Sequence, residues 1–168
     1  MSRGIRKPRL GTWNTQRMQF SKDPLKLKEV GKIIIDNFDL LCLQEIPGNC
    51  RGVESLLEIM AEEGHNFCII YPTGAPTDLL NGILFREEAF SMLENSPSLT
   101  FETSHTQLFV AKSNLDHSTY CIASVHIPPW VENEQGKAVT ASQSNMKMRV
   151  LAEMWNRLCL TLDFFVFF

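Results

Sequence analysis

"LLCLQEI", residues 40–46, is the stretch on which the reading of the fold turns. Four apolar residues run without polar relief before Gln44 and Glu45 stand side by side. With the two residues before it, the run "FDLLCLQEI" (38–46) reads as a strand buried on both faces, the kind that lies inside a sheet packed by helices. Its polar end has two readings. Glu45 is a solvated charge where the strand reaches the surface, or it sits at the mouth of a cleft as a metal ligand or acid–base group. The neighbouring chain has to decide.

Upstream, "PRLGTWNTQ" (8–16) alternates with a period of two, as a strand does. From 24 to 37 the period lengthens: Leu27, Val30, Ile34 and Phe38 recur at three and four residues and make one apolar helical face. Pro24 after Asp23 is a natural helix start, because its missing N–H would be an orphan there anyway. Downstream, "GVESLLEIMAEEG" (52–64) reads as a second helix, with Val53, Leu56, Leu57 and Met60 inward and Gly64 as its C-cap. "NFCIIY" (66–71) and "GILFR" (82–86) read as strands separated by a loop, "PTGAPTDLLN" (72–81). The remainder is β-rich, with "SLTFE" (98–102) followed by "QLFVAK" (107–112) and "STYCIASVHI" (118–127). The last two flank "SNLD", a turn composition that predicts an antiparallel hairpin. A third helix is expected over 140–158, striped by Val150, Leu151, Met154 and Leu158. The order β-α-β-α-β followed by more strands and a helix predicts a layered α/β or α+β fold around a sheet. In such sheets ligands gather beyond the strand ends.

Composition narrows the class. The chain has 168 residues, 44% of them hydrophobic and 21% charged, which suits one globular domain or part of a larger one. A net charge of −3 gives no basic field that would announce nucleic acid. The one basic cluster, Arg3, Arg6, Lys7 and Arg9, reads as a solvated N-terminal arm. The five cysteines, at 42, 50, 68, 121 and 159, have no zinc-type spacing, and four lie in apolar runs, as buried thiols of a reducing compartment do. The N-terminus lacks a signal-peptide pattern, and "LCLTLDFFVFF" is too short to span a membrane. An intracellular protein of cytoplasm or nucleus, without a membrane span, is expected.

Three polar residues end or interrupt strongly apolar strands: Asn14 in "GTWNTQ", Glu45 in "LCLQEI" and His126 in "IASVHIPPW". Buried polar groups must find partners. Singly, each has an ordinary explanation as a turn asparagine, a surface charge or a core histidine. In this order, with "NGILFR" between the second and third, they resemble the endonuclease/exonuclease/phosphatase superfamily, the fold of DNase I-like nucleases. The resemblance covers roughly residues 8–160.

The resemblance implies a four-layer α/β/β/α sandwich and a metal-dependent phosphoesterase, nuclease-like, that hydrolyses phosphodiester bonds. Glu45 matches the family's metal-binding glutamate, which holds Mg²⁺ (or Mn²⁺) through oxygen. Asn14 matches the asparagine that orients the catalytic aspartate and the phosphate. His126 matches the histidine that contacts the phosphate, and Asn81, before "GILFR", a substrate-side asparagine. A phosphate-ester substrate, nucleic acid among the choices, follows, although the acidic balance argues mildly against tight non-specific binding.

Two family motifs, "GDFN" and "SDH", have no counterpart here. "LDFF" (162–165) is the nearest approach to the first, and Asp116-His117 falls in the hairpin turn. The expectation is therefore a partial domain over 8–160 with a non-family tail over 161–168, the family's C-terminal half missing. An apolar sheet face left open in this way predicts self-association. The alternative to an enzyme is a catalytically inactive homologue that acts as a binding or interaction module.

Overall fold

In the computed structural model, which describes residues 5–71, 79–93, 105–126 and 166–167, the alternating stretch forms β1 (Leu10–Asn14). A 3-10 segment follows (Gln16–Lys22), then helix α1 (Pro24–Asn37). Asp23 caps α1, its carboxylate accepting from the backbone N–H of Leu25 at 3.0 Å and of Lys26 at 3.4 Å. Pro24 occupies the first turn, where no donor is missed. Asp23→Ala is expected to lower stability by about 1 kcal/mol, read from urea unfolding.

Strand β2 (Leu40–Pro47) returns beside β1 in parallel, Leu10 facing Leu40 and Asn14 facing Gln44. Helix α2 (Arg51–Glu62) buries Val53, Leu56 and Met60, with Leu57 half-buried. Gly64, at φ +83°, supplies the left-handed residue that ends it. Strands β3 (Phe67–Ile70) and β4 (Leu79–Arg86) complete a sheet in the order β1-β2-β4-β3. Strand β4 starts at Leu79, so Leu79, Leu80 and Asn81 belong to the strand rather than to the loop expected there. The reason is pairing: Leu79 faces Pro47 and Leu80 faces Ile46 across β2.

The second sheet runs β5 (Phe90–Met92), β6 (His105–Ser113), β7 (Thr119–His126) and β8 (Val166–Phe167). Strands β6 and β7 form the expected hairpin, with Asp116 in its turn accepting from the Tyr120 hydroxyl at 2.7 Å. Strand β5 gave no clear signal, being only three residues long. Strand β8 pairs in parallel with β7 at Ile122 and Ala123. The expected strand at 98–102 and third helix at 140–158 lie outside the described residues.

Side-chain parity divides β2 between two cores. Leu41 and Leu43 face α1 and α2, joining Leu27, Ile34, Val53, Leu56 and Met60. Leu40 and Cys42 face the second sheet, with Ile83, Phe85, Phe90, Phe109 and Ile122. A run apolar on both faces is what this layering demands, since neither face meets water. Three aromatic rings bind the sheets together: Phe109 lies 4.7 Å from Phe85 and 6.1 Å from Phe90, centroid to centroid.

The N-terminal arm departs from its expected solvation. Arg6 donates to both oxygens of Asp39, at 2.7 and 2.9 Å, and the Arg9 backbone N–H reaches the same carboxylate at 2.7 Å. Asp39 is wholly buried, and a buried carboxylate recruits cations from wherever the chain supplies them.

Candidate functional site

The C-terminal ends of β1 and β2 adjoin, and their polar side chains meet there. Asn14 Nδ2 donates to Glu45 Oε1 at 2.9 Å. Asn14 Oδ1 accepts from the Gln16 backbone N–H at 2.9 Å, so both ends of the amide are fixed and its orientation is determined. Beneath them Gln44 donates through Nε2 to the Thr12 hydroxyl at 2.8 Å.

Glu45 is placed by a β-bulge. The β2–β4 register shifts between Leu43, opposite Gly82, and Ile46, opposite Leu80. Leu43 and Ile46 consequently both face the helices, which regular alternation forbids. Glu45 sits in the bulge at φ +58°, a left-handed conformation that disfavours any residue with a Cβ by about 1–2 kcal/mol. Glycine would sit there without strain. Strained non-glycine residues collect where the surrounding structure holds them for a purpose. Three more, Gln16, Arg17 and Met18, follow β1 directly, at φ 48°, 61° and 51°.

Asn81 lies on β4 across from the bulge, between Leu80 and Gly82. It is 1% exposed, and its Nδ2 has no acceptor among the described residues. Buried Gln107 and Ser124 form a cross-strand pair on the second sheet. His126 ends β7, its backbone opposite His105, and its side chain lies outside the described residues. Thus Asn14 and Glu45 are in contact and Asn81 faces the bulge that carries Glu45. Asp163, in "LDFF", falls outside the described residues.

Two features escaped the sequence. Thr15, 3% exposed, donates to the carbonyls of the bulge, and nothing in "TWNTQ" distinguishes it from a strand threonine. The bulge itself has no local signal, because glutamate is not a residue that marks left-handed backbone.

Thiol chemistry is not favoured among the described residues. Burial pushes the Cys42 thiol up to about 12 and the Cys121 thiol up to about 11; burial and then the Glu87 carboxylate raise Cys68 to about 11. Such groups carry almost no thiolate at neutral pH. Among the described residues no group of three or more His, Cys, Asp or Glu is gathered as a metal cage. Mg²⁺ does not need one: it binds through one or two carboxylates and keeps several waters, so the single carboxylate of Glu45 beside an amide is a donor set that fits it. No helix among the described residues is long and apolar enough to cross a membrane.

No protein-family model matches the sequence, and no curated protein does. Solved structures do match by fold. A truncated TDP2 from C. elegans superposes with a TM-score of 0.55 at 17% identity, covering 88% of this chain and 55% of that one. D. rerio TDP2 complexed with a single strand DNA product gives 0.53 at 17% identity, covering 86% and 53%. A conserved protein of unknown function from Enterococcus faecalis V583 gives 0.50 at 15% identity, covering 86% and 60%. The fold is accordingly the expected α+β, two-sheet architecture of the DNase I-like class. The chain spans about half the length of the TDP2 chains that it matches.

Proposed function

We propose that this chain is part of a metal-dependent phosphoesterase of the endonuclease/exonuclease/phosphatase superfamily, with residues 8–160 as its partial catalytic domain. One observation carries the reading. Asn14 and Glu45, 31 residues apart, meet at adjoining strand ends, and Glu45 occupies a backbone conformation suited to glycine. Strain retained at a carboxylate is understandable if the carboxylate is used.

Mg²⁺ or Mn²⁺ bound there would polarise a phosphate and offset charge on the leaving oxygen. The chain's own residues take the remaining tasks. Glu45 supplies the anionic oxygen, and Asn14 holds that carboxylate in one orientation. Asn81 offers a buried N–H with no acceptor among the described residues, a donor suited to a phosphoryl oxygen. His126 serves as a second donor to phosphate. Phosphodiesters in nucleic acid are the substrate class to test first, since one structural neighbour, D. rerio TDP2, is complexed with a single strand DNA product.

A second reading has an observation of its own: among the described residues no group of three or more His, Cys, Asp or Glu gathers around Glu45, as suits a module that binds phosphate esters without turning them over. Incubating the whole chain with a labelled single-stranded oligodeoxynucleotide and Mg²⁺, with and without EDTA, separates the two. Cleavage that EDTA abolishes is the expected result. Retention of the oligonucleotide without cleavage supports the binding module, and cleavage indifferent to EDTA overturns the metal-dependent reading.

A further inference from the structure

Glu45 does not keep its conformation unaided. Gln44 and Glu45 fall where the β2–β4 register is interrupted, so that ladder does not fix them as it fixes Leu43. Thr15, at the end of the neighbouring strand, supplies the missing constraint. Its backbone N–H donates to the Gln44 carbonyl at 2.9 Å. Its hydroxyl lies 2.9 Å from that same oxygen and 3.0 Å from the Glu45 carbonyl, so one proton serves both carbonyls of the bulge.

Thr15 is itself held from the other side. The Met18 N–H donates to the Thr15 carbonyl at 2.9 Å, and the Met18 side chain is sunk in the core beneath α1 and α2. The left-handed run at Gln16, Arg17 and Met18 makes this return possible. The hydroxyl is thus fixed between two elements, with almost no water to compete for it.

We infer that the Thr15 hydroxyl is a positioning group for Glu45: it clamps the two bulge carbonyls and so holds the carboxylate where Asn14 reaches it and a divalent cation is bound. This rests on the proposed metal role of Glu45. Thr15 touches neither metal nor substrate. It acts through the backbone, as supporting residues around metal ligands commonly do, with effects of about 10–100-fold on affinity when removed.

Titration of the whole chain with Mn²⁺, followed by the electron paramagnetic resonance signal of free Mn²⁺, is the test. Thr15→Val keeps the shape and removes the donor, and Thr15→Ser keeps the donor and removes a methyl. Serine is expected to bind Mn²⁺ as the parent does, and valine about 10–100-fold more weakly. Should valine prevent folding, as a thermal melt would reveal, Thr15→Cys replaces it, a weak donor of similar size with an intermediate affinity expected. Valine or cysteine binding like the parent overturns the inference, as does serine binding as poorly as valine. Glu45→Gln separates the premise: parent-like binding by that variant removes the metal role of Glu45 itself.

Discussion

Asp39→Ala is expected to lower stability by about 3–5 kcal/mol, the effect of breaking a buried ion network by removing one member. For a chain of this length that corresponds to a fall in Tm on the order of 10 °C. Three arginines converge on this carboxylate, and they differ in what the loss would do to them. Arg6 and Arg9 keep 48% and 42% of their side-chain surface in water and can turn outward. Arg86 cannot, because its side chain is only 6% exposed, 3.8 Å from Asp39 through Nε. It also donates to the Ile35 carbonyl at 2.7 Å, which anchors it in place. The main penalty is therefore a buried guanidinium deprived of its buried anion and left with the exposed Glu88 carboxylate, 3.6 Å from Nη1. Arg6→Ala, which removes a half-exposed partner, should cost no more than about 1 kcal/mol.

The same carboxylate sets an acid limit. Burial alone would raise its pKa, but hydrogen bonds from Arg6 and Arg9 outweigh burial and hold it well below the usual carboxylate range. A depressed folded-state pKa contributes stability that is present above the unfolded value of about 3.9 and is lost as pH falls through the folded one. Urea unfolding at pH 7 and pH 3 checks this: the difference between parent and Asp39→Ala should be smaller at pH 3. An equal difference at both would mean that Asp39 does not carry the charge assigned to it.

On the proposed function, Glu45→Gln is expected to reduce hydrolysis in the presence of Mg²⁺ on the order of 100-fold or more, with stability changed by less than about 0.5 kcal/mol. Glutamine keeps the length of the side chain and an oxygen for Asn14 Nδ2, so the hydrogen bond at 2.9 Å has a replacement. The negative charge has none. A companion pair of variants addresses the backbone. Glu45→Gly should be more stable than Glu45→Ala by about 1 kcal/mol, reversing the order usual inside strands, because only glycine is unstrained at φ +58°. Alanine proving the more stable would mean that the left-handed conformation is not kept in solution.

Legibility in the sequence followed the range of the forces. Period and end signals placed α1, α2, β2 and the β6–β7 hairpin, since a continuous apolar face and a cap are properties of neighbouring residues. Asp23 with Pro24 even fixed the first residue of α1. Short β5 and the early start of β4 were not legible, because Leu79 and Leu80 are strand only through pairing with Pro47 and Ile46. At the site, Asn14 and Glu45 stood out as polar breaks in apolar strands, and their contact spans 31 residues that no local pattern bridges. Thr15 was invisible for the opposite reason: a threonine near a strand end is ordinary until its carbonyl partners are known. The arginines of the N-terminal arm misled in the same way, since their partner Asp39 lies 33 residues from Arg6 and 30 from Arg9, beyond any local pattern.

The bulge has a consequence for how this stretch tolerates change in length. Up to Gln44, odd and even positions of β2 alternate between the two cores, and Ile46 resumes the helix-side core that Leu43 left. Counting without Glu45 gives an unbroken alternation in which every apolar side chain already lies on its proper side. The sheet is thus one residue longer than its own packing asks. A chain that lost position 45 would gain a straighter ladder and keep its interior. Glu45 is a supernumerary residue to the fold, tolerated by the architecture and required by none of it.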